Sequence, residues 1–299
     1  MKNRKILCAT LPVLGGLAFF LAGCRPAQQA PPDHPRLAPG VAMKDVTFYS
    51  AALKREMPYR VFLPEKLMPD QKLPVVYLLH GGVGNFKNWS NYTDVAQYAA
   101  TNRSGGLILV MPEGAFSYYE NAALKPEEKY RDYLADDLVR DVEARFPAAA
   151  GRENRAIIGI SMGGFAAIKL ALSHPELYAF AGAISPAIDA CERRFNVFDI
   201  GQWRRLREIF GPVGSKMRQN ADPFVLVKSA SPSATSYIYL TAGSQEPLLD
   251  PILRFEARLK ERGFSYELHT KPGGHDFAEW GSQIPGCFAS LLQHLKQAH

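Results

Sequence analysis

The sequence predicts an α/β sandwich in which a mostly parallel sheet carries helices on both faces. Three observations lead to this prediction. Short aliphatic runs recur along the chain, their length suits strands that are covered on both faces, and segments with helical periodicity separate them. Strands and helices in alternation imply right-handed crossovers between parallel strands.

The individual elements follow from these patterns. We predict strands at 72–80, 106–112, 156–159, 179–185, 237–242 and 266–270. Segment 132–146 has apolar residues on one helical face, and 166–172, 252–259 and the C-terminal segment are also predicted as helices. The long segment 186–236 interrupts the alternation with aromatic and arginine residues, and two interpretations remain open: a packed helical excursion or a short substrate-shaping cap over the carboxyl edge of the sheet.

The N-terminus is predicted to be a targeting segment. Lys2, Arg4 and Lys5 precede a charge-free apolar run at 6–22, which is typical of a secretory signal peptide and short for a membrane span. Leu21-Ala22-Gly23-Cys24 resembles the lipobox of bacterial lipoproteins, in which the cysteine is acylated. We therefore expect a signal peptide at 1–23 and lipidation of Cys24.

The rest of the chain then divides into a tether and one domain. Segment 24–40 contains five prolines and few large apolar residues, so we predict an unpacked tether followed by a domain at 41–299. The lipobox resemblance implies attachment to a membrane through several acyl chains. Arg25, where an inner-membrane retention signal would have aspartate, favours the outer membrane or periplasmic face, and a freely secreted form is the alternative.

Composition excludes a nucleic-acid partner. Of the formal net charge of +6, three positive charges belong to the removable signal, which leaves +3 spread along the chain without a basic cluster. Cys191 and Cys287 are the cysteines beyond residue 24, and the sequence does not establish whether they pair.

A nucleophile motif follows the third predicted strand. Gly159-Ile160-Ser161-Met162-Gly163 is a Gly-x-Ser-x-Gly pentapeptide between a strand and a helix. Glycines are needed on both sides because a sharp turn brings neighbouring backbone close to the serine. We predict Ser161 as the nucleophile and the Met162 amide, at a helix N-terminus, as one oxyanion donor.

A serine nucleophile requires a base and an acid, which follow it in the order serine, acid, histidine. His275 lies in a glycine-containing loop directly after the predicted strand 266–270 and is the expected base. Glu246 and Asp250 both follow strand 237–242. We favour Glu246 because it is nearer the strand end, whereas Asp250 precedes Pro251 in a helix-capping position.

The second oxyanion donor is expected after the first predicted strand. His80-Gly81-Gly82-Val83 matches a His-Gly-Gly oxyanion loop, in which Gly82 is the expected donor and Val83 the alternative.

Together these motifs resemble the α/β-hydrolase superfamily, and more closely the esterase D and antigen 85 group with its feruloyl esterases, tributyrin esterases and S-formylglutathione hydrolases. The resemblance extends from about residue 41 to the C-terminus. It is carried by 79–82, 111–114, 117–121, 159–164 and 273–277, with Trp89 and Trp280. The resemblance supports Ser161, Glu246 and His275 as the triad and implies hydrolysis of carboxylic esters through an acyl-serine, without a metal or organic cofactor.

Within that group the acyl group and alcohol vary, so alternatives stay open. The leading hypothesis is a membrane-tethered carboxylesterase for small to medium acyl groups. An acyltransferase that moves an acyl group to a sugar or lipid alcohol is the first alternative, and a non-catalytic binding lipoprotein is the second. Neither the oligomeric state nor the identity of the small-molecule ester follows from the sequence.

Overall fold

The computed structural model describes residues 32–100, 105–195 and 199–295. The predicted signal peptide 1–23, Cys24 and the tether as far as residue 31 lie outside the described residues. Within the described ranges no helix is long and apolar enough to cross a membrane.

The centre of the domain is an eight-stranded sheet with the order β1-β2-β4-β3-β5-β6-β7-β8. The pairs β1–β2 and β2–β4 are antiparallel, and all other neighbouring pairs are parallel. The strands are β1 Val41–Ser50, β2 Arg55–Pro64, β3 Val75–Leu79, β4 Ile108–Pro112, β5 Arg155–Ile160, β6 Phe180–Ile184, β7 Tyr237–Gly243 and β8 Tyr266–Lys271. All six predicted strands are confirmed, and the antiparallel pair β1–β2 adds an edge that the aliphatic runs did not indicate.

Helices cover both faces, which confirms the predicted three-layer sandwich. They are α1 Asn88–Tyr92, α2 Gln97–Ala100, α3 Tyr130–Asp132, α4 Leu138–Arg145, α5 Met162–Ser173, α6 Ile200–Phe210, α7 Lys216–Ala221, α8 Pro223–Ser229, α9 Leu249–Arg262 and α10 Phe277–His294. A π-helical turn, Tyr133–Asp137, joins α3 to α4 and makes one continuous helical segment of the predicted 132–146. Helices α1, α2 and α10 pack on one face, and α3–α5 with α9 pack on the other.

Helix α5 is buried on all sides because the sheet lies under it and α8 packs over it. Its one charged residue, Lys169, is 3% exposed and forms an ion pair with Glu120, which is 6% exposed. Two charges taken out of water are tolerable only as a pair, so this contact ties α5 to the loop that follows β4.

Residues 33–40, at the end of the predicted tether, are mostly exposed but contact the domain through Asp33. They form neither helix nor strand, but Asp33 accepts two hydrogen bonds from the fully buried Arg60, at 2.7 and 3.0 Å. Arg60 also binds Asp45 through Nε at 2.7 Å, and its hydrogen bonds to Asp33 lower the pKa of that carboxyl despite its partial burial. The packed domain therefore begins at Asp33, because a buried guanidinium on β2 needs more acceptors than β1 supplies.

The segment 186–236 folds into α6, α7 and α8. Arg218 on α7 is 3% exposed and donates to the backbone carbonyls of Ala190, Cys191, Arg193 and Gly211. The buried guanidinium thereby holds the loop after β6 in one conformation. Cys191 and Cys287 are both buried and are not bonded to each other.

We expect Glu120→Ala to destabilise the domain by about 3–5 kcal/mol, because it leaves the Lys169 ammonium buried without a partner. Urea unfolding followed by circular dichroism measures this loss. The double variant Glu120→Leu with Lys169→Met removes both charges and should recover most of the stability. A double variant that is less stable than Glu120→Ala would show that packing, not the ion pair, dominates at this position.

Candidate active site

Ser161 occupies a sharp turn between β5 and α5. Its backbone has φ 54° and ψ −108°, a conformation that costs a non-glycine residue free energy and persists only where surrounding contacts hold it. The Ser161 amide donates to the Ile184 carbonyl at 2.9 Å, and its carbonyl accepts from Phe165 and Ala187, each at 3.0 Å. These bonds connect the turn to both β6 and α5, so the serine is held at the carboxyl edge of the sheet.

The glycines on both sides of Ser161 are required by close backbone approach. A Cβ on Gly159 would lie 2.1 Å from the carbonyl carbon of Gly163, and one on Gly163 would lie 2.5 Å from the Leu79 carbonyl oxygen. Neither the Gly163 carbonyl carbon nor the Leu79 carbonyl oxygen can move aside, because both are backbone atoms in packed elements. The crowding expected from the motif is therefore present at both positions.

Ser161, His275 and Glu246 form a chain of hydrogen bonds across three loops. Ser161 Oγ lies 3.0 Å from His275 Nε2, and His275 Nδ1 lies 2.8 Å from Glu246 Oε2. The second carboxylate oxygen of Glu246 accepts from the Gly243 amide at 3.2 Å. A proton on Nδ1 that is donated to the carboxylate leaves Nε2 free to accept the serine proton, which is the arrangement a general base requires.

The structure places the other acid and base candidates away from Ser161. The Asp250 side chain is 86% exposed and pairs with Arg254 in the first turns of α9. Asp276 caps α10 by accepting from the Ala278 and Glu279 amides. His269 pairs with Glu267 within β8. Glu246, not Asp250, is therefore the carboxylate beside His275.

The two predicted oxyanion residues line the same cavity as Ser161. Met162 is the first residue of α5, so its amide has no acceptor within the helix. Gly82 lies in the turn after β3 beneath Phe116, and a Cβ at Gly82 would come within 2.7 Å of that ring. The side chain of the alternative donor, Val83, is fully exposed.

Two polar side chains that the sequence analysis left without a role hold the oxyanion loop. His80 Nε2 accepts from the Gly114 amide at 2.9 Å, and its Nδ1 lies 2.7 Å from the Gly81 carbonyl oxygen. The Glu113 carboxylate accepts from the amides of Ala115 and Phe86 at 2.7 and 3.3 Å. Loops after β3 and β4 are thus bound to one another, and the Pro-Glu-Gly motif at 112–114 is the sequence signal for this contact.

The third unanticipated group is a buried carboxyl on α10. Glu279 is 4% exposed, accepts from Gln283 at 2.6 Å and lies 3.4 Å from Ser185 Oγ. Burial, together with the nearby negative charge of Glu246, raises the pKa of Glu279 even though the Gln283 bond opposes the shift. The raised pKa makes Glu279 easier to protonate than an exposed glutamate.

The site opens into a cavity of about 430 Å³. Trp280 lies on one wall and contacts the His275 ring edge-to-face at a centroid distance of 5.0 Å. Tyr118 and Trp280 line the cavity, whereas Tyr119 and Trp89 are buried in the core and do not. Burial raises the pKa of Tyr118 to about 12, so its hydroxyl is neutral. Segment 186–236 contributes Ala187, Arg193 and Gln202, and it therefore shapes the cavity.

A metal centre is not indicated by the described residues. Within residues 32–100, 105–195 and 199–295, no group of three or more His, Cys, Asp or Glu side chains could hold a metal ion. That the reaction needs no cofactor stays a prediction.

Fold and site together define an esterase of α/β-hydrolase architecture. The chain belongs to the family described as "Putative esterase", whose model matches residues 50–291. This match confirms the family that the sequence motifs indicated.

Individual relatives agree with this assignment. The chain is 24% identical over 264 residues to an acetyl esterase of Caldicellulosiruptor saccharolyticus, and the match covers 83% of this chain and 97% of that protein. The fluorophosphonate-binding serine hydrolase F of Staphylococcus aureus superposes with a TM-score of 0.72 at 26% identity, covering 84% of this chain and 98% of the other. An S-formylglutathione hydrolase from Staphylococcus aureus has a TM-score of 0.70 at 24% identity, with coverages of 84% and 99%, and shares the fold.

Proposed function

We propose that the protein hydrolyses carboxylic esters of small to medium acyl groups through an acyl-serine intermediate. The observation that carries this proposal is the continuous chain of hydrogen bonds from Ser161 through His275 to Glu246. The acetyl esterase activity named for one relative is of the same class. A cavity of about 430 Å³ with mostly apolar walls suits an acyl group of modest size.

The first half of the reaction forms the acyl-enzyme. Ser161 Oγ attacks the ester carbonyl carbon while His275 Nε2 takes the hydroxyl proton. The carbonyl oxygen becomes negative and accepts hydrogen bonds from the amides of Met162 and Gly82. When the intermediate collapses, the carbon–oxygen bond to the alcohol breaks, and His275 returns its proton to the departing alkoxide.

The second half releases the acid. Water attacks the acyl carbon as His275 Nε2 accepts one of its protons, and the negative oxygen returns to the same two amides. Collapse breaks the bond to Ser161 Oγ, which regains the proton from His275. Glu246 stabilises the imidazolium in both halves and remains ionised throughout.

An acyltransferase is the second candidate, and a specific feature favours it. A further cavity of about 240 Å³ adjoins the active-site cavity and shares Arg193 and Gln202 with it. An acceptor alcohol bound there could take the place of water at the acyl carbon. A purely binding role is less favoured because binding alone does not require the Ser161–His275–Glu246 contacts.

We also propose that the protein is an exported lipoprotein attached to the outer membrane or the periplasmic face through acylated Cys24. The support is the basic head, the apolar run and the lipobox-like residues 21–24. A lipid anchor contributes about 0.8 kcal/mol per buried methylene, so several chains would give stable attachment.

Wild-type protein should release alcohol from 4-nitrophenyl esters, with a maximum at short to medium acyl chains, and Ser161→Ala should lose at least about a thousandfold in kcat. Steady-state assays over a chain-length series, with and without sugar acceptors, measure this. Full activity in Ser161→Ala would contradict the nucleophile assignment. Turnover only in the presence of an acceptor would select the transferase, and no turnover of any ester would favour the binding protein.

The Glu246 assignment makes a separate prediction. Glu246→Gln should lower kcat by about 10³-fold to 10⁴-fold, because an amide cannot stabilise the imidazolium. Asp250→Asn is the matched control and should change kcat by less than about twofold, since its side chain is exposed. If Asp250→Asn proved the more damaging substitution, the acid would be misassigned.

The lipid anchor can be tested by fractionation of bacteria that express the full chain. Wild type should sediment with membranes and require detergent for release, whereas Cys24→Ser should not be acylated, as mass spectrometry would show. Cys8→Ser, within the predicted signal, serves as the control and should behave as wild type. Equal release of all three proteins without detergent would argue against lipidation.

A further inference from the structure

Among the described residues that line the active-site cavity, Arg193 is the one Arg, Lys, Asp or Glu. The rest of the wall is largely aromatic and aliphatic. Arg193 comes from the segment between β6 and β7 and shares the cavity with Ser161. A substrate can therefore contact both residues at once.

Arg193 is held in place before any ligand binds. Its Nε and Nη2 donate to the two carboxylate oxygens of Asp189 at 3.2 and 2.9 Å. The Arg193 carbonyl accepts from the buried guanidinium of Arg218 at 2.9 Å, which fixes the backbone at this residue. A long side chain that is already ordered loses little conformational entropy when it binds a ligand.

The pair with Asp189 leaves part of the guanidinium open. A guanidinium has five N–H donors, and the Asp189 carboxylate engages Nε and Nη2. Nη1 has no acceptor among the residues the structure describes. The Arg193 side chain is 27% exposed, so these donors are accessible from a partly desolvated cavity.

The position of Arg193 suits the far end of a substrate. Arg193 and Gln202 lie where the active-site cavity meets the smaller cavity of about 240 Å³ that continues towards Trp203. An ester whose carbonyl carbon lies at Ser161 can extend its other end to this junction, because Ser161, Arg193 and Gln202 line one cavity. The amide of Gln202 adds a neutral donor beside the guanidinium.

We propose that Arg193 determines substrate selectivity by binding a carboxylate carried by the ester away from its reacting carbon. This inference rests on the proposed esterase function. A carboxylate matches the planar donors of arginine better than any neutral group. No Asp or Glu lines the active-site cavity among the described residues. The two acidic residues nearby are Asp189, which Arg193 already binds, and Asp199 of the smaller cavity, whose carboxylate accepts from the Gln202 backbone amide at the start of α6. The substrate carboxylate can belong to the acyl group or to the alcohol.

The test is the ratio of kcat/KM for matched charged and neutral esters. The acyl-side pair is 4-nitrophenyl hydrogen adipate and 4-nitrophenyl hexanoate, and the alcohol-side pair is 4-acetoxybenzoate and phenyl acetate. For at least one pair, wild type should favour the charged ester. Arg193→Gln should lower that ratio by about tenfold to a hundredfold, chiefly through KM, because a charge-assisted hydrogen bond is lost. The pair that responds identifies the side that carries the carboxylate.

Two further variants distinguish a direct contact between Arg193 and the substrate carboxylate from an effect of the protein's overall charge. Arg193→Lys keeps the positive charge and should restore part of the ratio. Arg204→Gln makes the same charge change on α6 at an exposed residue that lines neither cavity, and its ratio should equal that of wild type. Raised salt should reduce the wild-type preference.

Several outcomes would overturn the proposal. If the kcat/KM ratio of charged to neutral ester were unchanged in Arg193→Gln, or fell equally in Arg204→Gln, Arg193 would have no specific role in selectivity. A larger loss for acetylated sugars than for the charged esters would show that hydroxyl groups are recognised instead. Failure of wild type on hexanoate and phenyl acetate would count against the esterase function itself, whereas turnover of these esters with an insensitive ratio would count against this inference alone.

Discussion

The approach of the first turn of α5 to strands β3 and β5 is the constraint on which the rest of the site depends. A Cβ on Gly159 would collide with the Gly163 backbone, and a Cβ on Gly163 would collide with Leu79 on β3. This contact leaves no space for a gradual connection between β5 and α5. The chain must turn within Ser161, whose positive φ is the consequence. The same turn places the Met162 amide at the start of the helix, so nucleophile and oxyanion donor arise from one packing contact.

The loops around that turn are held by charged groups that contact backbone. Glu113 accepts from amides in the loops after β3 and β4, and Arg218 donates to carbonyls in the loop after β6. Lys169 and Glu120 join α5 to the loop after β4 as a buried pair. Loops usually move more than the elements they connect. Here charged side chains bind these loops, so the cavity has a defined shape before substrate arrives.

Most of the fold and the triad could be predicted because local patterns encode them. The six buried strands are short and aliphatic, and Ser161, Glu246 and His275 each follow a strand in the order that the motif requires. The edge strand β1 lacks such a continuous run because it is exposed along much of its length, and in β2 beside it Pro58 and Arg60 interrupt the apolar residues. The contact between Asp33 and Arg60 was missed for another reason: the need of Arg60 for acceptors becomes visible only when its burial is known. Glu279 was missed likewise, since its sequence position at the start of a helix is that of an ordinary surface carboxylate.

The sequence by itself determined the order of strands and helices, the position of the nucleophilic turn and the identity of the histidine, because each depends on residues that are neighbours in the chain. The tertiary structure alone decided between Glu246 and Asp250, since four residues of separation become the difference between a buried contact with His275 and an exposed pair with Arg254. It also decided that Arg193 lies in the cavity of Ser161. That position results from the path of the chain between β6 and β7 and from the burial of Arg218, and contacts between residues far apart in sequence have no local pattern from which they can be predicted.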